Sequence, residues 1–162
     1  MTAAVFSSPP VIRRFLQPRL NRRLALSEIE ILSKLVEEYK KEVWVSFTCN
    51  KDLEFRDGSS IIKACEILSS LENVSTIGVN CFSPLLAERA IKKLKEHSNK
   101  KILIYPNSGE IYNNKDKDWY GEKYFDSSMI KKWLALSPDI IGGCCRVGFE
   151  DIKNMREEIN FL

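Results

Sequence analysis

Four short apolar runs, each followed by a stretch with helical spacing, constrain this chain more than anything else in its sequence. Residues 43–48 (Val-Trp-Val-Ser-Phe-Thr), 76–81 (Thr-Ile-Gly-Val-Asn-Cys), 101–106 (Lys-Ile-Leu-Ile-Tyr-Pro) and 139–146 (Asp-Ile-Ile-Gly-Gly-Cys-Cys-Arg) are rich in β-branched and aromatic residues. Runs of this kind suit strands buried on both faces. They begin 25 to 38 residues apart, with one amphipathic stretch in each interval. Strands alternating with helices imply a parallel sheet under helical cover. In such sheets chemistry gathers at the carboxyl ends of the strands, where Cys49, Cys81, Asn107, Cys144 and Cys145 fall.

The helices are legible from their starts and stripes. Ser27-Glu28-Ile29-Glu30 fits a capping box, followed by Ile29, Leu32, Val36 and Tyr39 on one face. Asp57-Gly58 predicts a turn, and Ser59 or Ser60 caps a helix carrying Ile61, Cys65 and Leu68, with Cys65 as core packing. Ser83-Pro84 gives a cap and a first-turn proline ahead of Leu86, Ala90 and Leu94. Ser127 or Ser128 starts a helix bearing Ile130, Trp133 and Leu134, and Ile152, Met155 and Ile159 mark the last one. Residues 107–121 form a long polar loop, and loops of that length in a compact domain are usually functional. This one is expected to line a substrate entrance.

The last strand runs into Gly142-Gly143 and delivers two adjacent cysteines. Successive strand side chains point to opposite faces, so Cys144 and Cys145 reach one ion only where the backbone leaves strand geometry. The two glycines are expected to permit that departure. Cys81 closes another apolar run, and with the pair it makes a set of three thiolates. A catalytic zinc takes three protein ligands and keeps one position open. The competing reading is that these cysteines are small buried hydrophobes. A disulfide between the neighbours is disfavoured, because Cα atoms ~3.8 Å apart across a trans peptide fall below the usual ~4.4 Å minimum for a bridge.

The 162 residues suit one domain. Five cysteines, an odd number, favour a reducing compartment over a disulfide framework, hence the cytoplasm. Residues 1–27 hold Arg13, Arg14, Arg19, Arg22 and Arg23 and no acid, a local charge of +5, while the rest carries 20 basic against 22 acidic residues. The globular part therefore has no basic bias, and no nucleic acid is expected as a partner. Nor is a membrane, since no apolar run approaches ~18 residues. Residues 1–24 read as a separate Arg-rich leader, taken as disordered, and 25–162 as the folded part. The leader has the composition of a mitochondrial transit peptide, which makes the mitochondrion the alternative location. Its prolines interrupt any long amphipathic helix, and an unstructured tail or a divergent exon fits equally well.

Three separated motifs resemble the homocysteine S-methyltransferase family: Gly78-Val79-Asn80-Cys81, Tyr105-Pro106-Asn107-Ser108-Gly109-Glu110 and Ile141-Gly142-Gly143-Cys144-Cys145-Arg146. The strand Val45-Ser46-Phe47-Thr48-Cys49 followed by Asp57-Gly58 agrees, and the resemblance covers about residues 25–160. The Pro-Asn-Ser-Gly-Glu form resembles the branch that uses S-methylmethionine or S-adenosylmethionine.

The resemblance implies an α/β fold that is the second half of a (β/α)8 TIM-type barrel, about four βα units with parallel strands. It implies zinc on Cys81, Cys144 and Cys145, homocysteine and a sulfonium methyl donor as substrates, and methionine as product. Asn80, Asn107 and Ser108 are the implied substrate-binding residues. No acid–base residue is assigned, and His97, the one histidine, is given no role. Two departures stand out: the family's Asp-Gly-Gly stretch is missing, and Phe149 takes the place of a proline usual after the double cysteine. Four strands do not close such a barrel, so the expectation is a chain that is not competent alone and self-associates through exposed sheet edges. The alternatives are a non-catalytic isoform that binds zinc or a partner, and an α/β protein with incidental cysteines.

Overall fold

The structure is a computed structural model; it describes residues 3–4, 26–38, 42–55, 57–113 and 115–160. Apart from Ala3 and Ala4, the expected leader lies outside the described residues, as does Tyr39.

Four strands form one parallel sheet: β2 (Val43–Thr48), β3 (Val74–Asn80), β4 (Lys101–Tyr105) and β7 (Ile140–Gly143). They lie side by side in chain order, β2-β3-β4-β7. The helices between them are α2 (Ile61–Ser69), α3 (Ala87–His97) and α4 (Ser127–Ala135), with α1 (Leu26–Glu38) before the sheet and α5 (Phe149–Asn160) after it. Crossovers between parallel strands are right-handed, so an order that never reverses puts every helix on the same face. That separates a barrel segment from a doubly wound sheet, which has helices on both faces.

The packing agrees. Phe47, Ile77, Val79, Ile102, Ile104 and Ile141 from the sheet join Ile29, Leu68, Ile91, Trp133 and Met155 from the five helices in one core. The alternate residues Leu103 and Tyr105, with Trp44 and Ile140 against them, cluster separately on the other face around Cys81, Cys144 and Cys145. Fully burying a side chain the size of Ile or Leu stabilises by about 1.5–3 kcal/mol, so the helix-covered face holds the fold together. The second face carries the site.

A two-residue segment, β1 (Ala3–Ala4), pairs antiparallel with Gly143 and Gly142 of β7. At the other side of the sheet, β2 has no further strand partner among the described residues. No described helix is long and apolar enough to cross a membrane.

Of the local expectations, some hold and others shift. Ser60 caps α2, its hydroxyl accepting from the Ile62 N–H. Asp126, not Ser127 or Ser128, caps α4, because its carboxylate takes the Met129 N–H at 3.0 Å and also the Ser128 hydroxyl. Helix α1 begins at Leu26, one residue before the expected cap, Ser27, whose side chain lies outside the described residues. Ser83 and Pro84 open a short 3₁₀ turn, Pro84–Leu86, that leads into α3. The long loop is not structureless: it contains a hairpin, β5 (Ile111–Asn113) with β6 (Asp118–Tyr120), across which Tyr112 and Trp119 pack with ring centroids 5.2 Å apart.

Candidate metal centre

Cys81, Cys144 and Cys145 converge where β3 and β7 end, with their sulfurs all within 4.8 Å of one another. The backbone does this differently from the expectation. Gly142 and Gly143 stay inside β7, and neither has a positive φ. The departures from strand geometry occur at Cys81, with φ 52°, and at Arg146, with φ 64°. Glycine is needed at 143 for space: a Cβ there would meet Cγ1 of Val147 at 2.1 Å. At 78 the reason is the same, since a Cβ would lie 2.1 Å from the Leu103 carbonyl oxygen on the neighbouring strand. One close approach between strands, at Gly78, and one tight turn, in which the Val147 side chain lies over Gly143, thus shape the strand ends that present the sulfurs.

The sulfurs of Cys144 and Cys145 are 3.9 Å apart. Thiolates on a tetrahedral zinc, at Zn–S of about 2.3 Å, lie about 3.8 Å from one another, so this edge fits the ion. Cys81 and Cys144, with Cα atoms 5.6 Å apart, are also within disulfide reach. An oxidised Cys81–Cys144 pair and a metal ion would compete for the same sulfurs, and Cys145 is a free thiol. The donor set is all sulfur, which selects a soft or borderline ion such as zinc over magnesium or calcium.

The turn bearing the double cysteine is tied to the segment after β4. The Cys144 N–H donates to the Pro106 carbonyl at 2.8 Å, and the Ser108 N–H donates to the Cys145 carbonyl at 3.0 Å. The Cys145 N–H donates to the side-chain oxygen of Asn107. Asn107 and Ser108, read from sequence as substrate contacts, are therefore placed against the backbone of Cys145. Ser108 is fully buried; its carbonyl accepts from Tyr124 and Phe125, and its hydroxyl donates to Glu110.

Asn80 belongs to a different set. Its side chain accepts from the Ser46 hydroxyl and donates to Thr48, while Ser46 also meets the Tyr105 hydroxyl. This network crosses three strands on the face that carries the cysteines. Burial pushes the Tyr105 phenol up, against the opposing pull of the Ser46 hydrogen bond.

Two residues that the sequence reading left without a role are Glu110 and Arg146. The Arg146 guanidinium donates to Glu110 from Nε, at 3.1 Å to Oε1 and 3.3 Å to Oε2, and from Nη2 at 3.0 Å to Oε1. Those bonds, with the one from Ser108, hold the Glu110 carboxyl below its ordinary range. Both residues sit inside the quoted motifs, yet nothing in their 36-residue separation signals a pair.

Cys49 and Cys65 stay apart from the centre. Burial pushes the Cys49 thiol up to about 11 and the Cys65 thiol up to about 12. Cys65 lies in the helix-covered core, as its spacing predicted. His97, at the far end of α3, pairs with Glu66 at 3.0 Å.

A segment of β/α barrel with a cluster of cysteines at its strand ends is the class that fold and site define. The homocysteine S-methyltransferase family model matches residues 24–159, and the chain belongs to that family. It is 34% identical over 125 residues to homocysteine S-methyltransferase 3 of Arabidopsis thaliana, covering 74% of this chain and 36% of the relative. Selenocysteine Se-methyltransferase of Brassica oleracea var. italica is 31% identical over 139 residues, 82% of this chain and 40% of its own length. Among solved structures, the metallated form of the homocysteine methyltransferase MmuM from Escherichia coli superposes with a TM-score of 0.65 at 26% identity, over 81% of this chain and 41% of that one. Apo and oxidized forms of the same enzyme superpose with TM-scores of 0.65 and 0.64. The chain thus spans well under half the length of these relatives, and its parallel sheet is part of a TIM-type barrel.

Proposed function

We propose that this chain carries the metal-binding half of a homocysteine S-methyltransferase, transferring a methyl group from a sulfonium donor to homocysteine to give methionine. The observation that carries this is the convergence of Cys81, Cys144 and Cys145 within 4.8 Å at the strand ends of a family member. In the reduced chain these three thiolates would hold zinc, which supplies a Lewis acid that keeps a bound thiol deprotonated at neutral pH.

The chain's own residues do the holding. Asn107 and Ser108 fix the backbone of Cys145, and the polar network of Ser46, Asn80 and Tyr105 offers hydroxyl and amide groups on the same face for an amino-acid substrate. Methyl transfer between sulfurs needs no proton moved by the protein, consistent with a site without a histidine. A reducing compartment, the cytoplasm, would keep the three thiols available.

Transfer also requires acceptor sulfur and donor methyl in line, and such orientation accounts for about 7–11 kcal/mol of a barrier. Four parallel strands leave the barrel open on one side, so turnover is assigned to this segment together with complementary barrel strands. The test mixes the reduced, zinc-supplied chain with the separately expressed first half of the Escherichia coli relative. Methionine formation from homocysteine and S-methylmethionine is then followed. Zinc-dependent methionine formation that disappears with Cys145→Ala is the expected result. A soluble, zinc-loaded complex that forms no methionine from either S-methylmethionine or S-adenosylmethionine would overturn the reaction assignment. Turnover by the chain without a partner would overturn the need for complementary strands.

A further inference from the structure

We propose that Glu110 and Arg146 are a positioning pair that locks the Cys144–Cys145 turn in its metal-holding geometry. This rests on reading the three cysteines as a metal centre. Arg146 follows the second cysteine directly and holds φ at 64°, a left-handed conformation that is unfavourable for a non-glycine residue. Such a conformation persists where the surroundings over-determine it. Here the determinant is visible: the guanidinium reaches back to both carboxylate oxygens of Glu110.

Glu110 is itself anchored. Its Oε2 accepts the Ser108 hydroxyl at 2.8 Å, and its N–H donates to that hydroxyl oxygen at 3.3 Å. Ser108 in turn donates its backbone N–H to the Cys145 carbonyl. A closed ring therefore runs from Cys145 through Arg146, Glu110 and Ser108 back to Cys145. Glu110 keeps 12% of its side chain exposed and Arg146 54%, so the carboxylate is the sheltered half of the pair. An arginine fork fixes direction as well as charge. Without it the residue after Cys145 relaxes out of the left-handed region and swings the Cys145 sulfur away from its two neighbours.

The test measures zinc affinity of the reduced chain by competition with a chromophoric chelator, alongside thermal melting of the metal-free protein. Glu110→Gln and Arg146→Gln are each expected to weaken zinc binding by about 10- to 100-fold, the usual effect of removing a group that orients a ligand. Arg146→Lys, which keeps the charge and loses the fork, should fall between. The swap of Glu110→Arg with Arg146→Glu should recover part of the loss. Glu96→Gln, which breaks the Lys93 pair on α3, is the control and should leave zinc affinity unchanged. Melting temperatures of the single variants should stay close to that control.

A second measurement needs no zinc: capture of the reduced, metal-free thiols by phenylarsine oxide, which bridges close sulfur pairs. Capture should be several-fold slower in Glu110→Gln than in Glu96→Gln. If the unsubstituted chain bound no zinc but Glu110→Gln still slowed capture, the metal reading would fall and the positioning pair would stand. Zinc affinity and capture both unchanged in Glu110→Gln and Arg146→Gln would overturn the proposal.

Discussion

The backbone N–H of Cys145 donates to the side-chain oxygen of Asn107 across 3.3 Å, so a residue after one strand holds a cysteine after the next. Asn107→Ala removes that acceptor and leaves an N–H of a partly buried residue unpaired. The expected cost is about 1 kcal/mol of stability, read as a lower urea midpoint. Zinc should also dissociate faster from the variant. Identical midpoints and zinc off-rates would show that the contact does not hold Cys145.

Removing any one of Cys81, Cys144 or Cys145 by alanine should abolish tight zinc binding, because two thiolates do not complete a site that needs three protein ligands. Cys65→Ala should retain the full zinc content while losing on the order of 1 kcal/mol, since a small buried group disappears from the core. Metal analysis after gel filtration separates the two. One equivalent of zinc on the triple alanine variant would rule out the three-cysteine assignment.

The raised thiols make a pH prediction. Cys49, pushed up to about 11, and Cys65, pushed up to about 12, stay protonated in the folded chain where the unfolded thiols ionise, at about 8.5. Their contribution to stability is therefore complete below that pH and declines as pH rises from there toward 11 to 12. Iodoacetamide at mildly alkaline pH should modify Cys145, which is partly exposed, and spare Cys65 until the chain is unfolded. Equal labelling of Cys65 and Cys145 by mass spectrometry would contradict this.

Gly78→Ala should be among the most damaging single-methyl changes in the chain. The added Cβ would sit 2.1 Å from the Leu103 carbonyl oxygen and 2.8 Å from the Leu103 Cβ, and a backbone in register on the adjacent strand has nowhere to go. A loss of about 3 kcal/mol, at the upper end for overpacking, is expected as a drop in melting temperature or in soluble yield. A variant that melts with the unsubstituted chain would mean that the strands separate more easily here than their pairing indicates.

Much of this architecture was legible one segment at a time. Apolar β-rich runs and helical spacing are local, so Phe47, Ile77 and Ile104 could be placed in strands, and Leu68, Ala90 and Met155 in helix cores, without any knowledge of neighbours. The cysteines at strand ends followed from the same patterning, and the quoted motifs carried the family likeness, which the match over residues 24–159 bears out. The long loop was the weakest reading, because a three-residue strand such as Ile111–Asn113 has too few positions to show alternation.

What needed the folded chain was everything that joins distant segments. The left-handed turn at Cys81, the Ser46–Asn80–Tyr105 network and the Glu110–Arg146 fork depend on which residue of one strand lies beside which residue of the next. A one-residue slip in register sends every side chain of a strand to the opposite face, and no local spacing specifies that register. Close contact between strands does: Gly78 against the backbone of Leu103 leaves room for only one alignment of β3 with β4. Three sulfurs meet because packed backbones, and not the order of residues along the chain, set the distance between strand ends.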